Sequence, residues 1–542
     1  MISKKYLIFY SALILFCLCS PAKAERISYL PSPQLGLGGL NTSDSPLILD
    51  PRFLITANNI LYDHVGSRLK RGGMKYLNES PITESSGSNS IMGIFEFSQI
   101  SQTGIKTNKL LCHADGKIYK IDDFDGVMDE ISSGPSTIDK QADYAVLRQV
   151  NTTVDTVVMV NGAEIPKTWS QSESCVNDLT GYPSGVAFYP SFIVAHKNRL
   201  FAGGVPGYPY RLYYSAAYKY NDWNTASDAG YVDVIDIFGS KLTGAASFMG
   251  YLVIFTEDSI HYLSGSTITD FVLTPFLVGI GAVNQASIIN LGNDLYFPSK
   301  KGIHSLTATE KYGSLTETYL SSPIQTEFNS LRMDKLENMC GEIWPPKNYI
   351  IWSATQNGNS RNNICFVYDY LGNRWSTWTN IDAVSFGIGT DTDGNEVLLS
   401  GNYDGFINKM NQHDYNDNGV AIEMTWTTPY LSLGDAIISK SFNELFMYMQ
   451  PQGNNTCTIS YRIDNSPSET LTFSQAGEGG TFGTFIFDVD QFGGGTLLPR
   501  SQSLTGVGKT LQITCEQNDL DVGYGSYGFA VEAIPTQVDY SK

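Results

Sequence analysis

Short apolar runs separated by polar turns recur along most of the chain. Between about Ile91 and Met410 one unit keeps returning: an apolar run, a turn with Gly or Asp, then a second run reading Ile-x-x-Leu or similar. The clearest copies are the segments Lys109–Tyr119, Tyr251–Leu263 and Asp294–Leu306, and the last two overlay directly. Weaker copies stand at Val157–Gly162, Arg199–Gly204, Tyr349–Ser353 and Val397–Ile407. One anchor from each copy (Cys112, Met159, Phe201, Phe255, Phe297, Trp352, Leu399) gives intervals of 47, 42, 54, 42, 55 and 47 residues. A period of roughly 40–50 residues with about four strands is that of a β-propeller blade, which buries its faces only by stacking on neighbours around a ring. Seven anchors predict about seven blades, with the strand near Ile91–Phe97 pairing with the last blade to close the circle. A run of sandwiches with Greek-key links fits the same short strands.

After Asn411 the texture changes. Ala421–Leu433, Phe442–Met449, Cys457–Ile463, Thr481–Asp488, Thr510–Cys515 and Phe529–Val538 read as longer strands between Gly- and Ser-rich turns, enough for a β-sandwich. No window sustains a 3.6-residue apolar period, so the fold class is all-β with little helix. The domain reading is a signal peptide at 1–24, an extended N-terminal docking arm at 25–84, a β-propeller at 85–412 and a β-sandwich at 420–542.

The signal reading rests on Lys4 and Lys5 before an apolar run from Tyr6 to Cys19, followed by Ala22-Lys23-Ala24. The run is short for a membrane span, so the expectation is cleavage and export, with no membrane association afterwards. A retained anchor and an upstream start codon are the other readings. Losing Lys4, Lys5 and Lys23 would take the formal charge from −19 to −22. Such an acidic balance argues against tight binding to phosphate backbones, though not against DNA as a passing neighbour. Plain solubility explains it equally well.

Candidate chemistry is sparse. Asp414-x-Asn416-x-Asn418-Gly419 matches the first half of a Ca²⁺ loop, but position twelve is Thr425 and Glu423 comes two residues early. It is also ordinary inter-domain turn material. Gly506-Val-Gly508-Lys509-Thr510 lacks the leading Gly of a phosphate loop, since Ser503 stands there. Gly181–Gly185 is no nucleophile elbow. The pairs Asp233/Asp236, Glu257/Asp258 and Asp391/Asp393 read as solvated turn acids. Trp375 and Trp378 read as filling between blades rather than stacking a ligand. Beyond the signal segment, six cysteines contain no CxxC pair; an exported chain permits disulfides, with Cys457–Cys515 and Cys340–Cys365 as local pairings, whereas a cytoplasmic one leaves buried thiols. The scattered histidines form no metal-ligand pair. No catalytic residue, cofactor or firm metal site is expected.

Gly38 to Gly73 combines a Gly-Gly start, Asn58-Asn59 and a basic run Arg68-Leu-Lys70-Arg71 closed by Gly72-Gly73. Its turn formers and short apolar runs suit an extended arm that docks on a neighbour. Gly38, Gly39, Asn58, Asn59, Arg68 and Arg71 are the expected subunit-docking residues. Together with His196-Lys-Asn-Arg199, Leu212-Tyr-Tyr-Ser215, Ile280-Gly281, Tyr296-Phe297…Gly302-Ile303 and Trp375-Ser-Thr-Trp378, this arm resembles tail nozzle and packaged-DNA stabilisation proteins of short-tailed phages, from about Gly38 to Met449. That resemblance implies a non-enzymatic, propeller-bearing subunit of the virion tail. It would form a ring, typically a hexamer, below the portal and adaptor, extending the DNA channel and helping retain the genome. The signal-like segment departs from this pattern, because tail subunits assemble in the cytoplasm. It suits instead an exported propeller that binds or cleaves carbohydrate, or scaffolds protein partners.

Overall fold

The computed structural model describes residues 27–29 and 35–536, apart from 64–65, 84, 86, 101–103, 133–136, 149–154, 227, 310–313, 413, 454 and 477–497. The signal-like segment and the strand expected at Thr481–Asp488 lie outside the described residues. No described helix is long and apolar enough to cross a membrane.

Seven antiparallel sheets follow one another at residues 91–130, 143–178, 192–233, 242–278, 289–319, 340–379 and 385–412. Each of the first five is a self-contained four-stranded meander. These are the blades of a propeller. Every repeat anchor falls on the second strand of its blade and is at most 2% exposed. Each blade presents apolar side chains to both neighbours: Phe255 of blade four meets Phe297 of blade five with ring centroids 4.9 Å apart. Turns follow their residues, as at Asp115-Gly116, where both φ angles are positive (49° and 65°) between paired strands of blade one.

Blade seven supplies only three strands from its own sequence, Ser385–Thr390, Glu396–Gly401 and Ile407–Gln412. Its outer edge needs a fourth. The expected closing strand near Ile91 is instead the innermost strand of blade one, touching blade seven through Ser385 Oγ, which donates to the Ile91 carbonyl at 2.5 Å. Closure comes from the N-terminal segment, whose strands are β1 (Ile27–Tyr29), β2 (Thr56–Asn58), β3 (Ile60–Tyr62), β4 (Arg68–Lys70) and β5 (Gly73–Tyr76). β5 pairs antiparallel with Ile407–Gln412, Tyr76 lying opposite Asn408. The unpaired ladder of blade seven is thereby covered by a strand made more than three hundred residues earlier.

The C-terminal sandwich is built on the same segment. One sheet runs Met424–Thr427, Leu511–Gln517, Thr456–Ile463 and Glu469–Ser474. The other holds β3, β4, Gly525–Pro535, Lys440–Met449 and Leu498–Ser503, with β1 on Gly525–Pro535. Leu511–Gln517 alternates buried and half-buried positions along its length, as a strand with one face in a core must. Trp426, Leu445, Met447, Ile459, Ile513, Phe529 and Val531 share that core. β2 lies between Arg374–Thr379 of blade six and Met424–Thr427 of the sandwich, making one nine-stranded sheet that runs from propeller into sandwich.

The segment expected to be an extended arm is therefore folded into its own chain. Its strands are only three or four residues long, and each is stable because it completes a sheet that would otherwise end in unpaired backbone groups.

Candidate functional site

The residues expected to dock on a neighbour converge on one intramolecular junction. Gly38 and Gly39 lie against the chain's own backbone: Leu40 N–H donates to the Trp375 carbonyl at 2.8 Å. A Cβ on Gly39, which has φ of 87°, would stand 2.7 Å from Trp375 N, so only glycine fits that approach. Asn58 Nδ2 donates to Thr379 Oγ1 at 3.1 Å. Asn59 takes a left-handed φ of 55° at the step from β2 to β3. Its Nδ2 donates to the Glu423 carbonyl at 2.8 Å and its Oδ1 accepts from Arg71 Nε at 2.8 Å and Thr379 N–H at 3.1 Å.

Arg71 is 1% exposed, yet every guanidinium donor is used. Nη1 and Nη2 reach the two oxygens of Asp417 at 2.8 and 2.6 Å, and the remaining donors go to the carbonyls of Gly72 and Thr379, both at 3.1 Å. Arg68 is the opposite case. It is fully buried, sits 4.2 Å over the Trp426 ring and 6.0 Å from that of Phe529, and none of its guanidinium nitrogens has a hydrogen bond among the described residues. The basic run is thus interior, a placement that charge alone argued against. What overrides the charge is strand alternation next to aromatic and carboxylate partners 346 to 461 residues away in sequence.

The Ca²⁺ candidate is dispersed. Asp414 pairs with Lys75, Asn416 bonds Asp521 and accepts from Gly419 N–H at 2.7 Å, and Asn418 bonds Asn408 at 3.0 Å. The residue of that linker with a central role is Asp417, the position the spacing passes over. No group of three or more His, Cys, Asp or Glu able to hold a metal ion occurs among the described residues.

The acidic residues are held by partners within their own chain. Asp233 is bridged to Arg211 at 2.7 Å, and Glu257 to Lys241 and Lys300 at 3.1 and 3.2 Å. Burial pushes Asp236 up, but hydrogen bonds from Ser240, Ser259 and Thr256 outweigh it and bring the carboxyl to about 2. Trp375 and Trp378 are buried, their indole N–H groups donating to the carbonyls of Leu320 and Ile60, each at 3.2 Å. His261 and His304, at corresponding places in two repeats, each bond a buried serine, Ser259 at 3.0 Å and Ser299 at 2.9 Å. These repeat positions hold the fold.

All six described cysteines are free thiols. Cys340 and Cys365 face Ser353 from opposite sides, two strand spacings or about 9.5 Å apart, beyond disulfide reach. Cys515 faces Ile459, so Cys457 is its diagonal neighbour rather than its partner.

One cluster carries no motif in the sequence. A cavity of about 300 Å³ lies among the first strands of blades one, two, five, six and seven, and Asp143 and Glu342 line it. Asp143 Oδ2 accepts from Ile193 N–H of blade three at 2.8 Å, and Glu342 Oε1 from Ile343 N–H at 3.0 Å. Burial raises both carboxyls to about 7 against those backbone donors. Gln141 and Asn284, on the adjoining wall, are spent on stitching: Asn284 Nδ2 donates to Gln141 Oε1 at 3.0 Å and to the Met339 carbonyl at 2.6 Å. The available signal was faint, a polar residue on a first strand in a chain full of polar turns.

No family model and no curated protein matches this chain. Among solved structures it is similar to the extracellular domain of a hybrid two-component system from B. thetaiotaomicron, at 12% identity and a TM-score of 0.38, over 62% of this chain and 42% of that one, so it spans less than half of that domain. It is also similar to the N-terminal domain of Nup159, at 10% identity and a TM-score of 0.37, over 66% of this chain and 99% of that one. The seven-bladed architecture rests on the sheet order of the chain itself, a ring of meanders closed by β5 and continued into a sandwich through β2.

Proposed function

We propose that this chain is a non-enzymatic structural subunit of a short-tailed phage tail, of the nozzle and DNA-stabilisation type, forming a ring that extends the DNA channel below portal and adaptor. The observation that carries the reading is where the family-like segments meet. Gly38-Gly39, Asn58-Asn59, Arg71-Gly72 and Trp375–Trp378 all contribute to the buried junction at which blade six, β2 and the sandwich become one sheet. A subunit that serves as wall material needs its two parts joined by backbone pairing, and it needs no reaction centre. The acidic balance, −19 in formal charge, suits a surface past which a duplex slides without adhering. Negative-stain microscopy of the purified chain mixed with a portal–adaptor complex tests the proposal. A ring of six copies on the complex is the expected image; monomers alone, with the complex present, would remove the reading.

A further inference from the structure

We propose that the cleft where β5 joins blade seven binds a neutral carbohydrate, a function that goes beyond the tail role and stands without it. The cleft encloses about 420 Å³, within the roughly 300–1,000 Å³ usual for small-molecule sites. The N-terminal strap builds one wall of it. Tyr76 of β5 stacks on Phe406 with centroids 3.9 Å apart and planes 20° from parallel, and is 42% exposed, so part of its ring is open to a ligand. That surface is an apolar platform for the C–H face of a pyranose, with a hydroxyl at its rim.

The polar groups of the cleft have unspent capacity of both kinds. Asn402 is 7% exposed and commits its Oδ1 to the N–H groups of Asp404 and Phe406, at 3.0 and 2.9 Å. Asn408 is 3% exposed and commits its Oδ1 to Asn418 Nδ2 at 3.0 Å. The Nδ2 of each donates to no protein group among the described residues, and both residues line the cleft. Acceptors stand on the same cleft. Asn380 gives its Nδ2 to Asp417 at 3.3 Å and keeps its Oδ1, while Asp382 takes only backbone N–H groups. Two amide donors held nine-tenths buried, beside a carbonyl and a carboxylate, match vicinal hydroxyls, each of which donates and accepts.

Charge selects against the alternatives. Asp404 is bridged to Arg361 at 2.9 Å and Asp417 to Arg71 at 2.6 Å. Asp382 alone remains, repelling anions and falling short of the several oxygen ligands, mostly carboxylates, that a hard dication takes.

Saturation-transfer NMR on the full chain in EDTA, with glucose, galactose, mannose, N-acetylglucosamine and lactose at millimolar concentration, tests the site. Ring protons of at least one sugar should receive saturation. Asn402→Asp keeps the turn-capping Oδ1 and turns the Nδ2 donors into an anionic acceptor, and Tyr76→Ala removes the platform. Each should weaken binding about tenfold or more, the effect of one lost polar or stacking contact, with the far-ultraviolet circular dichroism unchanged. No transfer to any of the five sugars overturns the proposal. So does transfer that both folded variants leave intact, or binding that appears only when Ca²⁺ replaces EDTA. Monomers alone in microscopy, from a chain that still passes saturation to a sugar, would remove the tail reading and leave the sugar site standing.

Discussion

Arg71 and Asp417 form a two-pronged ion pair at 2.8 and 2.6 Å, with side chains 1% and 2% exposed, that ties the N-terminal segment to the linker between propeller and sandwich. Removing one partner strands the other charge in the interior. Arg71→Met should therefore lose about 3–5 kcal/mol of stability, read from the urea midpoint at unchanged slope. Adding Asp417→Leu to it should recover a large part, since an apolar pair replaces a lone carboxylate.

Arg68, three positions earlier, should behave oppositely. Its guanidinium has aromatic rings beneath it and, among the described residues, no hydrogen-bond acceptor, so the desolvation cost is offset by stacking over Trp426 and Phe529. Arg68→Met should be neutral or stabilising in the same titration. A loss as large as that of Arg71→Met would show that the buried charge is better compensated than its contacts indicate.

Gly73 begins the closing strand, and a Cβ there would lie 1.7 Å from the Asn416 carbonyl oxygen. Backbone cannot yield that distance cheaply. Gly73→Ala should cost more than about 2 kcal/mol and speed amide exchange in Ile407–Gln412, the strand β5 covers.

Acid and base act on this protein through two opposed sets. Burial lowers His113 and His196 to about 4 from 6.5, so the unfolded chain takes up protons first as pH falls. Their contribution is complete above pH 6.5 and is lost on descent to about 4. Asp143 and Glu342 are raised to about 7 from 3.8 and 4.5, so the folded state keeps protons that the unfolded chain has released. Their penalty is absent below the unfolded values and grows as pH rises to 7. Glu342→Gln should thus raise the thermal midpoint at about pH 8, by on the order of 2 kcal/mol in stability, and leave it unchanged near pH 4.

Thiol chemistry gives a simple check on packing. Cys175 is exposed while Cys112, Cys340, Cys365, Cys457 and Cys515 are buried. Ellman's reagent should titrate Cys175 rapidly in the native protein and the other five only in denaturant. Two thiols missing after denaturation would reveal a bridge.

The propeller was legible because its anchors are bulky, buried and periodic: Phe255 and Phe297 announce the same strand in successive blades. The N-terminal segment was not legible. Strands of three residues have no period to read, and Arg68, Lys70 and Arg71 carry the charge of a surface while occupying the interior. Their partners, Trp426, Phe529 and Asp417, are remote in sequence, so nothing local marks the burial. The cleft beside Tyr76 was hidden for the same reason, since it exists only once β5 has been laid against Asn408.

The strap also sets an order of events in time. β5 waits for Ile407–Gln412, and β4 waits for Gly525–Pro535 near the chain's end. Both strands find these partners only after more than three hundred further residues have been made. Blade seven keeps a bare edge until residue 412 is made, and β4 lacks its sandwich partner until Gly525–Pro535 is made. A chain interrupted between residues 412 and 525 would therefore carry its seven blades with β4 still lacking its sandwich partner.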